Sequence, residues 1–527
     1  MTPAVAHSPL DHPASLAEAL RDPACYPHPA GDVRVVETHI SWVFLAGSYA
    51  YKVKKPVRLD FLDFSTLEAR RRYCLEEVRL NRRTAPGLYV EVVPIVGTTG
   101  RPSVGGTGTA IEYAVRMRRF PQQDLLSRRA DAGVLEPAAV DAMAAAVARM
   151  HAEADVVREG SFGTPALVRA QALDNFATLE RLDPALCDRH LERWTRLEHA
   201  ALVETFAARR REGFVREGHG DLHLGNVVMF AGAPVPFDCI EFDARLRMID
   251  VMSDVAFACM DLHSRGQPRL AARFLNAWLE HTGDYGGLRV LRFYEVYRAM
   301  VRAKVAAIRA RQEGIGADDR ADAEEIFRRH VALAKRLVLR RSPGLVLMHG
   351  LSGSGKTTVA QELVESLGAV RLRSDIERKR LHGLAPLARS ASAPGGGIYE
   401  PGATRETYGR LALLARETLA AGYRTVVDAT FLHRAQRDAF RRLARAMRVP
   451  FAIVACVAPE AVLRARLAGR SGDASEADVA VLDLQLAARE ELAADELGRV
   501  VVADATHRDA AEEASLLALA KILDRRG

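Results

Sequence analysis

A chain of 527 residues exceeds the length over which a single hydrophobic core keeps growing, so two or more domains are expected. Apolar residues at 49% and charged residues at 27% are an ordinary globular composition, and no run approaches the roughly 18 apolar residues of a membrane helix, which excludes a disordered or helix-spanning membrane chain. A net charge of +7 permits acidic partners without singling out nucleic acid, because the phosphates of a nucleotide satisfy it equally.

The opening stretch MTPAVAHSPLDHPASLAEALRD has neither the basic segment nor the apolar core of a secretory leader, so a cytoplasmic location is expected. Short β-rich runs follow: THISWVFLAG, then SYAYKVKKP after the Gly47-Ser48 turn, and later LYVEVVPIVG and AIEYAVRMRRF. They predict a small, mostly antiparallel sheet. Between them STLEARRRYCLEEVRLNRR predicts an amphipathic helix with a Ser/Thr cap and with Leu67, Cys74 and Val78 on one face. From about residue 135 to 340 the periodicity is helical, interrupted near 219–243 by the polar loop HGDLHLGN and the apolar run VPFDCI. The expectation is a small lobe over about 30–120 and a helical lobe over about 121–340.

At RRSPGLVLMHG the last of these helices should stop before Pro343, and a buried strand should begin near Leu345. A domain boundary is therefore placed between 340 and 344. Beyond it LVLMHG, AVRLR, RTVVDAT, FAIVACV and GRVVVAD alternate with helical runs, the pattern of a parallel sheet with crossover helices. Residues 390–406, SASAPGGGIYEPGATRE, read as a mobile substrate loop. The six cysteines form no C-x-x-C pair, which points to reduced thiols rather than disulfides or zinc.

Two places carry chemistry. GLSGSGKT satisfies G-x-x-x-x-G-K-[ST] between an expected strand and an expected helix. Gly350, Ser352, Gly353, Ser354, Gly355 and Thr358 would line a backbone cradle for phosphate oxygens; Lys356 would reach the terminal phosphates, and the Thr357 hydroxyl would ligate Mg2+. Downstream, SDIER sets Asp375 and Arg378 three residues apart, an acid to deprotonate a hydroxyl and a cation to clamp a neighbouring anion. Asp428, ending RTVVDAT, suits the magnesium shell, and Arg466 and Arg470 suit a lid over the transferring phosphate.

The other place is the HGDLHLGN loop. Phosphoryl transfer in a kinase-like fold uses an Asp to accept the proton of the attacking hydroxyl and a neutral Asn to ligate metal, roles open to Asp221 and Asn226. The second metal ligand is then expected to be an acid on a following strand, and VPFDCIEFD supplies Asp238, with Glu241 and Asp243 as alternatives. Only eight of the 74 basic residues are lysines, and four of them, Lys52, Lys54, Lys55 and Lys356, fall in these two places. Strand alternation puts Lys52 and Lys54 on one face, and Glu77 lies nearer the apolar side of its helix than Glu76.

These residues carry resemblances. The C-terminal part, through the Walker A run, SDIER, VVDAT and LRARLAGR, resembles P-loop small kinases such as gluconate kinases, zeta toxins and the 5′-hydroxyl kinase of phage polynucleotide kinase. HGDLHLGN resembles the catalytic loop of aminoglycoside phosphotransferases, with His223 where protein kinases have Lys. By that likeness Lys52 is the cation for the α/β-phosphates and Glu77 its partner; no G-x-G-x-x-G precedes the lysine, as is common in the aminoglycoside-type enzymes. Across nearly the whole chain the sequence resembles the bacterial bifunctional aminoglycoside phosphotransferase/ATP-binding family. The resemblance implies a two-domain architecture: an α+β kinase-like bilobal domain, then an α/β P-loop domain with a parallel sheet. It further implies ATP or another nucleoside triphosphate with Mg2+, and γ-phosphoryl transfer to a hydroxyl. Because loop 390–406 holds one aromatic, Tyr399, and little positive charge, a small-molecule acceptor is preferred to a nucleic-acid end, and no membrane partner is expected.

Overall fold

The computed structural model describes residues 13–59, 62–312, 314–339, 342–386, 388–390, 392, 396–469, 475–504 and 510–523. The chain packs as two compact units, Met1–Thr164 with Arg210–Asp254, and Pro165–Arg209 with Val255–Gly527. Residues beyond 344 thus share a unit with helices that precede them.

In the first unit, strands β1 (Arg34–Glu37), β2 (Ser41–Ala46) and β3 (Tyr49–Lys54) form a meander; a two-residue hairpin β4 (Arg58–Leu59) and β5 (Leu62–Asp63) follows, then β6 (Tyr89–Thr98), β7 (Arg101–Val104) and β8 (Ala110–Arg118). Six of these make one antiparallel sheet in the order β1-β2-β3-β8-β6-β7. Period-two alternation gives β3 two faces. Tyr51 and Val53 pack with Leu16, Leu20 and Tyr26, whereas Ala50 packs with Cys74 and Val78 of the Leu67–Asn81 helix. Lys52 and Lys54 share the parity of Ala50 and so face that helix, whose N-cap Thr66 accepts from the Ala69 N–H at 3.1 Å. The unit is completed by the pairs β9 (Val215–Glu217) with β12 (Met248–Asp250) and β10 (Val227–Phe230) with β11 (Ala233–Pro236).

In the second unit, long helices including Pro165–Leu182, Leu288–Ala310 and Ala317–Leu337 bury Phe176, Leu179, Phe257, Met300 and Leu333. After them β13 (Leu345–His349), β14 (Val370–Arg373), β15 (Thr425–Asp428), β16 (Phe451–Val457) and β17 (Val500–Asp504) form a parallel sheet in the order β14-β15-β13-β16-β17. Central β13 is apolar at Leu345, Val346, Leu347 and Met348, all buried, as a strand covered on both faces requires. One expectation needs correction: residues 390–406 are not one irregular loop, because the Pro401–Ala420 helix takes its second part, with Pro401 in the first turn where its missing N–H costs nothing. No described helix is long and apolar enough to cross a membrane.

Candidate active sites

The first site is assembled in the first unit. Lys52 Nζ donates to Glu77 Oε1 at 2.9 Å and to Asp238 Oδ1, while Lys54 Nζ donates to Glu77 Oε2 at 2.8 Å and to Glu241 Oε1. Burial works against both ammonium groups, yet Asp238 and Glu77 hold the Lys52 pKa well above the ordinary lysine value, and Glu241 and Glu77 raise that of Lys54. Burial likewise opposes Glu77, but the two lysines pull its carboxyl down to about 2. Glu241 is pushed up by burial. Of the two glutamates weighed on the helix, Glu77 is the one that meets Lys52; Glu76 instead pairs with Arg79 and Arg247. Asp243, the third acid of that segment, caps the short Ala244–Arg247 helix.

Asp238 does not sit on a strand, contrary to the expectation. Its segment leaves β11 and turns through a left-handed conformation, φ +62°, which aspartate tolerates better than most residues. The Asp238 N–H donates to the Tyr89 hydroxyl at 3.2 Å and the Cys239 N–H to Asn81 Oδ1 at 2.9 Å, fixing the turn. The catalytic-type loop is pinned to it by the Phe237 N–H donating to the Asn226 carbonyl at 2.9 Å. Within the loop Asn226 Nδ2 donates to the Asp221 carbonyl and to Asp221 Oδ2, both at 3.0 Å. His223 Nδ1 accepts from the Gly225 N–H at 3.0 Å, which leaves its proton on Nε2, 3.4 Å from Asp221 Oδ2. His219 is buried and its pKa lowered by that burial; Nδ1 accepts from the Asp221 N–H and Nε2 donates to the Phe237 carbonyl at 2.9 Å.

One residue with no assigned role in the sequence reading anchors the start of this loop. Buried Asp254 accepts from the N–H groups of His219 at 2.7 Å and Gly220 at 2.9 Å. Gly218 is needed there, since a Cβ on it would lie 2.4 Å from Asp254 Oδ2.

The second site is a cleft of about 700 Å3 lined by Ser352, Gly353, Gly355, Lys356, Thr357 and Thr358, together with Arg373, Asp375, Arg378, Tyr399, Asp428 and Arg466. Gly350, Gly353 and Gly355 all have positive φ, the conformations that let the loop curl into the Lys356–Leu367 helix. Lys356 Nζ donates to the Leu351 carbonyl at 2.8 Å, buried Ser354 lies under the turn, and Arg466 Nη1 reaches the Gly353 carbonyl at 3.2 Å. Gln485, unassigned from sequence, closes on the same loop: its Oε1 accepts from the Ser352 N–H at 2.8 Å and its Nε2 donates to Ser352 Oγ at 3.0 Å. Arg378 Nη1 donates to the Ile398 carbonyl at 2.7 Å and to Thr404 Oγ1 at 3.2 Å, with the Tyr399 ring 5.0 Å from its guanidinium. It therefore shapes the loop beside Asp375 as well as facing the cleft. Arg470 lies outside the described residues.

Oxygen donors dominate both places: the Asn226 amide and Asp238 carboxylate in one, the Thr357 hydroxyl and Asp428 carboxylate in the other. Such hard ligands in small number fit Mg2+, which keeps several waters and takes the rest of its shell from phosphates.

Residues 62–294 match the phosphotransferase enzyme family and residues 345–492 match an AAA domain. An uncharacterised protein of Mycobacterium tuberculosis is 32% identical over 481 residues, spanning 89% of this chain and 93% of its own length, and one of Mycobacterium bovis gives the same figures. Among solved structures, an amicoumacin kinase in complex with AMP-PNP, Ca2+ and Ami is 14% identical, covering 62% of this chain and 94% of its own, with a TM-score of 0.37. A gluconokinase from Sinorhizobium meliloti 1021 is 26% identical, covering 35% and 96%, with a TM-score of 0.26. The chain belongs to the family it shares with these mycobacterial proteins, in which a phosphotransferase-family kinase-like domain is followed by a P-loop kinase domain of the AAA type.

Proposed function

We propose that the protein transfers the γ-phosphoryl group of ATP to hydroxyl acceptors at two sites, one within residues 1–340 and one within 344–527. The observation that carries this reading is Lys52, which joins Glu77 and Asp238 across 25 and 186 residues of sequence, beside a loop that presents Asp221. In this arrangement Lys52 faces the α/β-phosphates, and Asp221, oriented by Asn226 and His223, accepts the proton of the attacking hydroxyl. Asn226 and Asp238 would hold a divalent cation, which would supply charge neutralisation at the phosphates. In the second site Lys356 faces the terminal phosphates, Asp375 takes the acceptor proton, Thr357 and Asp428 supply cation ligands, and Arg466 lies over the phosphate loop. A cleft of about 700 Å3 is of a size for a nucleotide and a small molecule, and Tyr399, the aromatic of its loop, is stacked on Arg378, which supports a small acceptor over a nucleic-acid strand.

The test is incubation with γ-labelled ATP and separate pools of metabolites, aminoglycosides and 5′-hydroxyl oligonucleotides. Label should move to a small-molecule pool, with Asp221→Asn removing one activity and Asp375→Asn the other, each by about 10^2- to 10^4-fold. Label reaching oligonucleotides and lost only in Asp375→Asn would replace the small-molecule assignment of the second site. If Asp221→Asn matched wild type across every pool, the first site would be a sensor rather than a catalyst.

A further inference from the structure

The Pro268–Thr282 helix lies inside the segment that matches the phosphotransferase family, yet its polar residues are bonded to the P-loop sheet. Buried Asn276 closes the edge of β14: Nδ2 donates to the Ala369 carbonyl at 2.9 Å, and Oδ1 accepts from the Arg371 N–H at 2.7 Å. These are bonds a further strand would have made to that edge. One turn on, Glu280 accepts from Arg371 Nε at 3.0 Å and Nη2 at 2.7 Å, and from Arg373 Nη1 at 3.5 Å.

Both arginines continue toward the nucleotide site. Arg371 Nη1 reaches the Thr357 carbonyl at 3.4 Å, and Arg373 Nε comes within 4.0 Å of Asp428 Oδ2. One carboxylate from the helix therefore stands behind both residues assigned above to the cation. Its effect on Arg373 is the more consequential. A guanidinium beside Asp428 can pair with that carboxylate and neutralise it, in competition with a metal ion. Glu280 offers Arg373 a second anion and shares its charge.

We propose that Glu280 is a positioning residue of the P-loop site, contributed by the phosphotransferase-like segment, which holds Arg373 back from Asp428 and so keeps that carboxylate available to the divalent cation that enters with the nucleotide. The proposal rests on the reading of Lys356, Thr357 and Asp428 as a nucleotide site. It makes the family's domain fusion part of the chemistry: the second kinase works with a side chain that lies outside its own sequence.

The test is equilibrium binding of a fluorescent, non-hydrolysable ATP analogue to the full chain, with Mg2+ and with EDTA, taking the component that Lys356→Ala removes. Glu280→Gln should leave the affinity in EDTA unchanged and cut the gain given by Mg2+ about tenfold, the lower end of the effect of residues that hold metal ligands. Adding Arg373→Gln to Glu280→Gln should restore most of that gain, which a merely structural role for Glu280 would not do. Glu280→Asp, which keeps the charge for Arg371 but shortens the reach to Arg373, should give the same selective loss at smaller size and guards against a Gln variant that does not fold. Equal weakening in Mg2+ and EDTA, or a double variant no better than Glu280→Gln, overturns the proposal while leaving the nucleotide site standing. The absence of any component sensitive to Lys356→Ala overturns the site and the proposal together.

Discussion

Glu77 bridges two ammonium groups at once, and neither it nor Lys54 has any exposed side-chain surface. Removing the Glu77 charge takes one charge-assisted hydrogen bond from each lysine but leaves Lys52 with Asp238 and Lys54 with Glu241, so Glu77→Gln should lower unfolding stability by about 2 to 3 kcal/mol, read from urea midpoints at constant m-value. A second consequence at this scale concerns acid. His330, on the Ala317–Leu337 helix, is held neutral because burial lowers its pKa from 6.5 to about 4, and its ring Nδ1 lies 2.7 Å from the Ile326 carbonyl. In the unfolded chain it protonates near 6.5. Its contribution is therefore complete above pH 6.5 and is lost as pH falls from 6.5 toward 4, at most about 3 kcal/mol. Urea midpoints for wild type should fall from pH 7.5 to pH 4.5 more steeply than those of His330→Gln. The Glu77 contact was legible in the sequence, because strand parity and helix facing both pointed to it; the state of His330 was not, because its cause is burial by segments far away in the chain.

At the scale of elements, HGDLHLGN and GLSGSGKT were legible for a common reason. Each requires glycines and polar residues at fixed spacings that ordinary turns do not need, so the pattern stands out without a partner. Gly350 shows how strict the requirement is: φ is +141°, and a Cβ there would lie 2.4 Å from the Cys456 carbonyl oxygen. Gly350→Ala should abolish the nucleotide-binding component that depends on Lys356 and lower the melting temperature, measured by analogue binding and calorimetry. The strands were legible through their alternating or continuous apolar runs. What stayed hidden were residues whose partners are set by tertiary packing. Asp254 and Gln485 bond backbone N–H groups of the loops, and Asn276 and Glu280, at i and i+4 on their helix, carry no local pattern that marks a partner. Asp238 was found by its spacing from Asp221, but its left-handed turn was not, since nothing local marks it.

For the whole molecule, the second compact unit joins helices of the phosphotransferase-like segment to the P-loop sheet. A chain cut after residue 341 would leave the Asn276 amide, the Glu280 carboxylate and the guanidinium groups of Arg269 and Arg273 without the partners they have at Ala369, Arg371, Glu362 and Glu365. Such a fragment should melt lower than the intact protein, or fail to stay in solution, whereas two independently stable domains would leave it unchanged. The same bonds set an order of events at the ribosome. Asn276 waits for a partner 95 residues further along, on the order of ten seconds of synthesis, with its helix already able to form. During that interval the nascent helices present an unfinished surface, whose polar groups pair with water until the sheet that completes them has been made.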